Sequence, residues 1–183
     1  MPLTFDELNR RYAAIPALPK NDARVEALCV RPDLGAREIR EEIDFDPVHG
    51  AIGDRWERKT WMYLPDGKPD PRVQIAICNA QVIAMLQELT ETNHHPGDTL
   101  FTNLDLSHAN LPRGSKLQVG NAIIEISDVE NDACMKFAKH HGSVVLDWIR
   151  LPQNRPLRLR GAFAKVSVGG KVRIGDVIKR IDI

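Results

Sequence analysis

The sequence predicts a mainly β domain, closed or partly closed into a barrel, with only a few short helices. Three observations carry this reading. Short apolar and alternating segments recur from Val25 to the end of the chain, separated by turns of unequal length. Segments with helical spacing are few and do not alternate regularly with the strands, as the crossover helices of a parallel sheet would. Near the end, Gly169-Gly170 stands between two apolar stretches, the pattern of a two-residue hairpin turn with positive φ.

The first element is a helix. Thr4 and Glu7 have capping-box spacing, Phe5, Leu8, Tyr12 and Ile15 recur at helical intervals, and Pro16 and Pro19 end the run. From Val25 the signal changes to strands. Val25, Ala27 and Cys29 alternate with Glu26, Leu28 and Val30, which predicts burial on both faces. Arg37 to Phe45 alternates more cleanly, with Ile39 and Ile43 as its apolar face. Trp61 to Leu64 reads as a strand edge, and Pro65-Asp66-Gly67 as a turn.

Arg72 to Ile77 reads as a further strand leading into Asn79, which can cap a helix carrying Val82, Ile83, Met85, Leu86 and Leu89. Residues 91 to 115 are rich in loop signals, among them Pro96-Gly97-Asp98. Leu117 to Ser127 is the clearest buried-strand candidate, interrupted at Gly120-Asn121 by a bend or a hairpin. Asn131 to Gly142 reads as a short helix with Gly142 at its C-cap. Ala162 to Val168, Lys171 to Ile174 and an alternation over Val177, Lys179, Ile181 and Ile183 complete the barrel.

Composition bounds the function. The chain has 183 residues, 43% of them hydrophobic and 27% charged. A chain of that length buries roughly 70% of its unfolded surface, so residues 1–183 are expected to form one domain with a full core. Its 25 basic and 25 acidic side chains cancel, which leaves no field for general attraction to nucleic acid or to a membrane. No apolar run approaches the roughly 20 residues needed to cross a bilayer. The start, Met1-Pro2-Leu3-Thr4-Phe5-Asp6-Glu7, lacks the basic and then apolar layout of a signal peptide, so a cytoplasmic location is expected.

Of the three cysteines, Cys134 has the most chemical interest. It lies near the start of a predicted short helix, where peptide dipoles lower a thiol's pKa. A thiolate there could attack, carry sulfur or bind a soft metal, and the alternative is a small buried hydrophobe. Cys29 and Cys78 sit in apolar strands, where burial is the stronger reading. A second candidate is the segment Gly50 to Arg55, where close glycines admit a ligand to the backbone and Arg55 can grip an anion. Arg58 and Lys59 add charge around Trp56 and Trp61, whose rings can stack on a heterocycle; a tight turn is the alternative. The histidines His49, His108, His94-His95 and His140-His141 show no zinc spacing and read as surface residues.

In order, several stretches resemble the MOSC family, named for the C-terminal domain of molybdenum-cofactor sulfurases. They are Gly50 to Arg55, Arg72 to Ile75, Pro96-Gly97-Asp98 with Asn103-Leu104, Leu111 to Leu117, and Val119 to Ile126. Cys134 follows, then Arg160 to Val166 and Gly169 to Asp176, so the resemblance spans about residues 24 to 182. It implies a barrel similar to the pyruvate-kinase barrel domain, and a cysteine that carries sulfur or ligates molybdenum in a pterin cofactor. By position, Cys134 would be the thiolate on molybdenum, and Arg55, Asn103 and Arg160 would bind the cofactor in one cleft. Standalone members of the family look like reductases of N-hydroxylated substrates that draw electrons from a partner. Without turnover, the same cysteine would serve a sulfur-carrier or cofactor-delivery protein supplied by a sulfur donor; a third reading is a binding module. Thr102 stands where the family often has Glu, and Ala133 where it often has Pro. Asp128, Glu130 and Asp132 lie just upstream of the thiol and would raise its pKa if they faced it.

Overall fold

The computed structural model describes residues 2–181. Its first helix, α1 (Phe5–Ala13), begins as its capping signal requires, with the Thr4 hydroxyl accepting from the Glu7 amide at 3.2 Å. The strands β1 (Ala23–Val30), β2 (Glu38–Arg40), β3 (Glu42–Asp46) and β4 (Gly50–Ala51) follow. After a 3₁₀ turn at Pro71–Val73 come β5 (Ile75–Asn79), α2 (Ala80–Leu89) and β6 (Leu100–Thr102). The hairpin β7 (Lys116–Val119) and β8 (Ala122–Glu130) leads to α3 (Met135–His141) and α4 (Ser143–Ile149). The last strands are β9 (Ala162–Val168), β10 (Gly170–Arg173) and β11 (Val177–Ile181).

Seven strands close a ring in the order β11-β7-β8-β9-β5-β6-β1, and β1 returns to β11 through Ala23 opposite Ile178. The chain is therefore the closed, mainly β barrel that the alternating strands predict, with four short helices. One neighbouring pair in the ring, β5 and β6, is parallel, because α2 carries the chain back across the outside of the wall. The interior is filled by inward residues from every side, including Leu28, Ile75, Ile77, Leu100, Ile124, Ala164 and Ile178. A second core lies outside the barrel, where Leu8 of α1, Leu86 of α2 and Trp148 of α4 pack together. The Trp148 indole donates to Asn9 at 2.8 Å, so its one polar atom stays satisfied there.

Several local expectations are corrected. Gly169-Gly170 makes no hairpin: neither residue has positive φ, β9 pairs with β5 and β8, and β10 leaves for a separate three-stranded sheet with β3 and β4. Glycine is needed there for close approach, since a Cβ on Gly170 would stand 2.4 Å from the Asn121 carbonyl oxygen. The loop-rich span 91 to 115 hides β6, three buried residues with no alternation to betray them. Trp61 to Leu64 forms only an isolated bridge, Tyr63 to Pro69, and Arg72 lies in the 3₁₀ turn, so that strand starts at Ile75. Ile39 is exposed while Ile43 is buried, and in the last strand Ile178 rather than Val177 enters the core. Ile183 lies outside the described residues.

Candidate functional site

The outer face of β5 and β6 carries the groups with chemical potential. Cys78 and Phe101 stand side by side in the register of the two strands and pack under Ile83 of α2. Burial pushes the Cys78 thiol well up, and Asp98 adds to it, so this thiol is held protonated. Cys29 is buried as well, with its thiol pushed up chiefly by burial.

Cys134 is the exposed cysteine and occupies the N-cap of α3. Its approach is built with care. Ala133 has φ +59, a left-handed conformation that a proline could not adopt, which accounts for Ala at that position. Arg150 holds the strained segment, donating from Nε to the Asp132 carbonyl at 2.9 Å and from Nη2 to the Ala133 carbonyl at 3.0 Å. The upstream acids point to other partners: Asp128 to Arg72, Glu130 to His108 and Asp132 to Arg155.

Arg160 lies within electrostatic reach of both Cys134 and Cys78. Its Nη1 donates to both carboxylate oxygens of Asp98, each at 2.8 Å, and its guanidinium sits 5.2 Å over the Phe137 ring of α3. The side chains are 12% and 1% exposed, so the pair is a buried one. Burial works against the Arg160 charge, but attraction and hydrogen bonding to Asp98 outweigh it and raise its pKa. Gly161 follows with φ +114, and a Cβ there would lie 2.0 Å from the Ile77 carbonyl oxygen, so both the backbone conformation and the space require glycine. That close approach lets the chain enter β9 against β5.

The other two expected cofactor residues have different surroundings. Asn103 accepts from the Arg24 amide at 2.9 Å and so ties the end of β6 to β1. Asp98 precedes β6 and Asn103 follows it, which separates them by about 16 Å along the strand direction. Arg55 donates its amide to the Arg31 carbonyl at 2.9 Å, and its guanidinium forms no ion pair among the described residues. Arg31 is itself held by buried Asp54 at 2.9 Å and feels Asp98. Trp56 is 5% exposed and cannot stack on a ligand, whereas Trp61 is 65% exposed against Phe163.

The histidine pairs are not simple surface residues. His94, from the loop after α2, stacks on His140 of α3, and His141 is buried with its Nδ1 3.0 Å from the Thr90 hydroxyl. Sequence reading also missed Asp98 as the partner of Arg160 and Arg150 as the clamp on the thiol loop. Pro96-Gly97-Asp98 is visible as a motif, but the partner of Asp98 is 62 residues away. Of two surface hollows of about 320 Å³, one lies beside Arg72, Arg113 and Lys165, and the other is lined by Ala51 to Asp54 of the Gly50 to Arg55 segment with His49 and Arg58. The described residues contain no group of three or more His, Cys, Asp or Glu placed to hold a metal ion, and no helix long and apolar enough to cross a membrane.

No protein-family model and no curated protein matches the chain. Solved structures do. YuaD from Bacillus subtilis is 21% identical with a TM-score of 0.58, the match covering 86% of this chain and 94% of that one. YiiM from Escherichia coli is 16% identical with a TM-score of 0.58, covering 87% of this chain and 70% of that one. YiiM from Geobacillus stearothermophilus is 12% identical with a TM-score of 0.57, covering 87% and 75%. Identities this low speak for the fold alone. By fold, this chain is a MOSC-like barrel.

Proposed function

We propose that the protein uses Cys134 as a soft ligand or sulfur-bearing thiol, and that it binds a molybdenum-pterin cofactor through it. The observation that carries this reading is the placing of one exposed thiol at the start of α3, on a clamped loop, beside a buried Arg160–Asp98 pair. The donor set fits such a group in a specific way. Cys134 would supply a single thiolate, and among the described residues no His or carboxylate group completes a metal site with it, so a metal bound here must arrive with most of its ligands already in place. A pterin dithiolene meets that condition. When bound, the group would supply two-electron reduction of an N-hydroxylated substrate, with electrons from a separate donor protein.

The chain's own part is positional. Arg150 fixes the carbonyls ahead of Cys134 and limits the directions its sulfur can take. Arg160 braces Phe137, one turn along α3 from the thiol. Burial of Cys29 and Cys78 leaves Cys134 as the thiol open to solvent. That openness equally favours a second reading, in which Cys134 receives sulfur from a donor as a persulfide and passes it on. Purification from a host that makes the pterin cofactor, with metal and pterin analysis of wild type and C134S, tests the first reading. Cofactor that is present in wild type and lost in C134S supports it. Cyanide-releasable sulfur on Cys134 without metal supports the second, and neither signal defeats both.

A further inference from the structure

One strand outside the closed ring has an open edge. β2 lies against the far end of β1 and ends the order of its sheet, with no strand on its other side among the described residues. All three of its residues are exposed, Ile39 at 59%. A β-branched apolar side chain on an unpaired edge is a template for another strand unless charge or proline blocks the approach. β2 has no proline, and its two charges are of opposite sign.

The register shows which peptide groups face outward. In β1 the Cys29 amide donates to the Thr99 carbonyl at 3.0 Å, on the β6 side. Successive residues of a strand alternate in direction, so Leu28 and Val30 turn their peptide groups toward β2, opposite Arg40 and Glu38. Ile39 stands opposite Cys29 and therefore directs its N–H and C=O away from β1, to the open edge. The side chains are symmetric about the same residue. Glu38 and Arg40 flank Ile39 on one face and pair with each other. Read in reverse, acid–apolar–base becomes base–apolar–acid, so the strand complements an antiparallel copy of itself. A parallel copy would set acid beside acid.

We propose that β2 is a self-association edge, pairing antiparallel with β2 of a second copy about a two-fold axis at Ile39. The two Ile39 residues exchange both hydrogen bonds and bring their side chains together. Glu38 of each copy meets Arg40 of the other, which closes a set of four alternating charges. So short a ladder makes a small interface, and the dimer is a weak one that forms with rising concentration. The thiol takes no part, so C134S should associate like wild type.

The test is sedimentation velocity over a concentration series reaching about 1 mM. Wild type is expected to shift from monomer to dimer. E38R sets base opposite base across the axis and R40E sets acid opposite acid, so each alone should dimerise at least about tenfold more weakly. Mixed together, the two variants should form a heterodimer, because every acid of one then faces a base of the other. I39P removes the outward N–H, which β1 does not use, and should remain monomeric with an unchanged circular dichroism spectrum. Wild type that stays monomeric throughout overturns the proposal and leaves the edge to a strand of another protein. Association of E38R, R40E or I39P equal to wild type, or a mixture of the charge variants without heterodimer, overturns it as well.

Discussion

The rings of His94 and His140 lie 3.4 Å apart and 4° from parallel, joining the loop after α2 to the helix that carries Cys134. Two imidazoles in that contact cannot both carry charge without strong repulsion. The stack is set among further bases and cations: His95 and Arg37 act on His94, and His141, which also feels Arg160, lies close to both rings. Asp98 is the acid on this side, and it is already engaged by Arg160. Burial lowers the His94 pKa, with His140, Arg37 and His95 adding to it.

The protein should therefore lose stability in mild acid. Burial lowers the pKa of His141 from 6.5 to about 4, with His94, Arg160 and His140 adding to the shift. A base whose folded pKa is depressed stabilises the fold above its unfolded pKa, and that contribution is lost as pH falls from about 6.5 toward about 4. The shift corresponds to about 3 kcal/mol. Chemical unfolding at stepped pH should show this decline in wild type, and H141Q should show a flatter profile over the same window.

Alkylation at neutral pH should mark Cys134 ahead of the other thiols. Cys29 and Cys78 are each 0% exposed and both have raised pKa values, so their labelling should wait for unfolding. Peptide mapping after a short exposure to iodoacetamide gives the comparison. Labelling of Cys78 at the rate of Cys134 would contradict the structure.

Breaking one side of the Asp98–Arg160 pair should cost more than removing both. D98N leaves the Arg160 charge buried and uncompensated, an expected loss of about 3–5 kcal/mol, whereas the double variant D98N/R160M should recover much of it. A thermodynamic cycle over the two singles and the double reads the coupling directly.

Gly161 should tolerate no side chain. G161A puts a Cβ 2.0 Å from a backbone oxygen of β5 and asks alanine to hold φ +114. Loss of soluble folded protein, or a fall in Tm of many degrees, is expected by circular dichroism. G35A is the comparison: its φ is also positive, at +82, but no atom lies within 4 Å of the added carbon, so only the backbone strain of about 1 kcal/mol remains.

Removing the Arg150 guanidinium should loosen the thiol loop. R150M keeps the apolar stem and loses two hydrogen bonds to carbonyls next to a strained Ala133. About 2–3 kcal/mol of local stability is at stake. Hydrogen exchange over residues 131–135 should quicken while the barrel strands stay protected.

The parts of this architecture that were legible in the sequence are those written in neighbouring residues. Thr4 and Asn79 announce their helices because a cap acts over three positions, and the bend at Gly120-Asn121 is flanked by strands that pair with each other. Cys134 at a helix start was readable for the same reason. The parts that stayed hidden depend on distant partners. Gly169-Gly170 looks like a hairpin because two glycines serve a tight turn and a close backbone crossing equally well, and the crossing strand is 49 positions upstream at Asn121. β6 is short and wholly buried, so it has no periodicity, and its place is set by β5 and β1. His141 is buried only because α3 folds onto α2, which no pattern within its own helix could reveal. Asn103 matches its motif in type, yet its amide oxygen is given to Arg24.

The closure of the ring between β1 and β11 has a kinetic consequence. Arg24 donates to the Gly175 carbonyl across a separation of 151 residues, and β11 must also find β7 before the wall is complete. A search that ends on so remote a pairing raises contact order, and closing such a loop carries an entropic cost before any contact rewards it. During synthesis the helices α1 and α2 and the hairpin β7–β8 can form as they emerge. The barrel itself has an open seam, with the edges of β1 and β7 unpaired, until β11 leaves the ribosome. Over that interval the nascent chain exposes strand edges that a second chain could pair with, and a holding chaperone would find its substrate there.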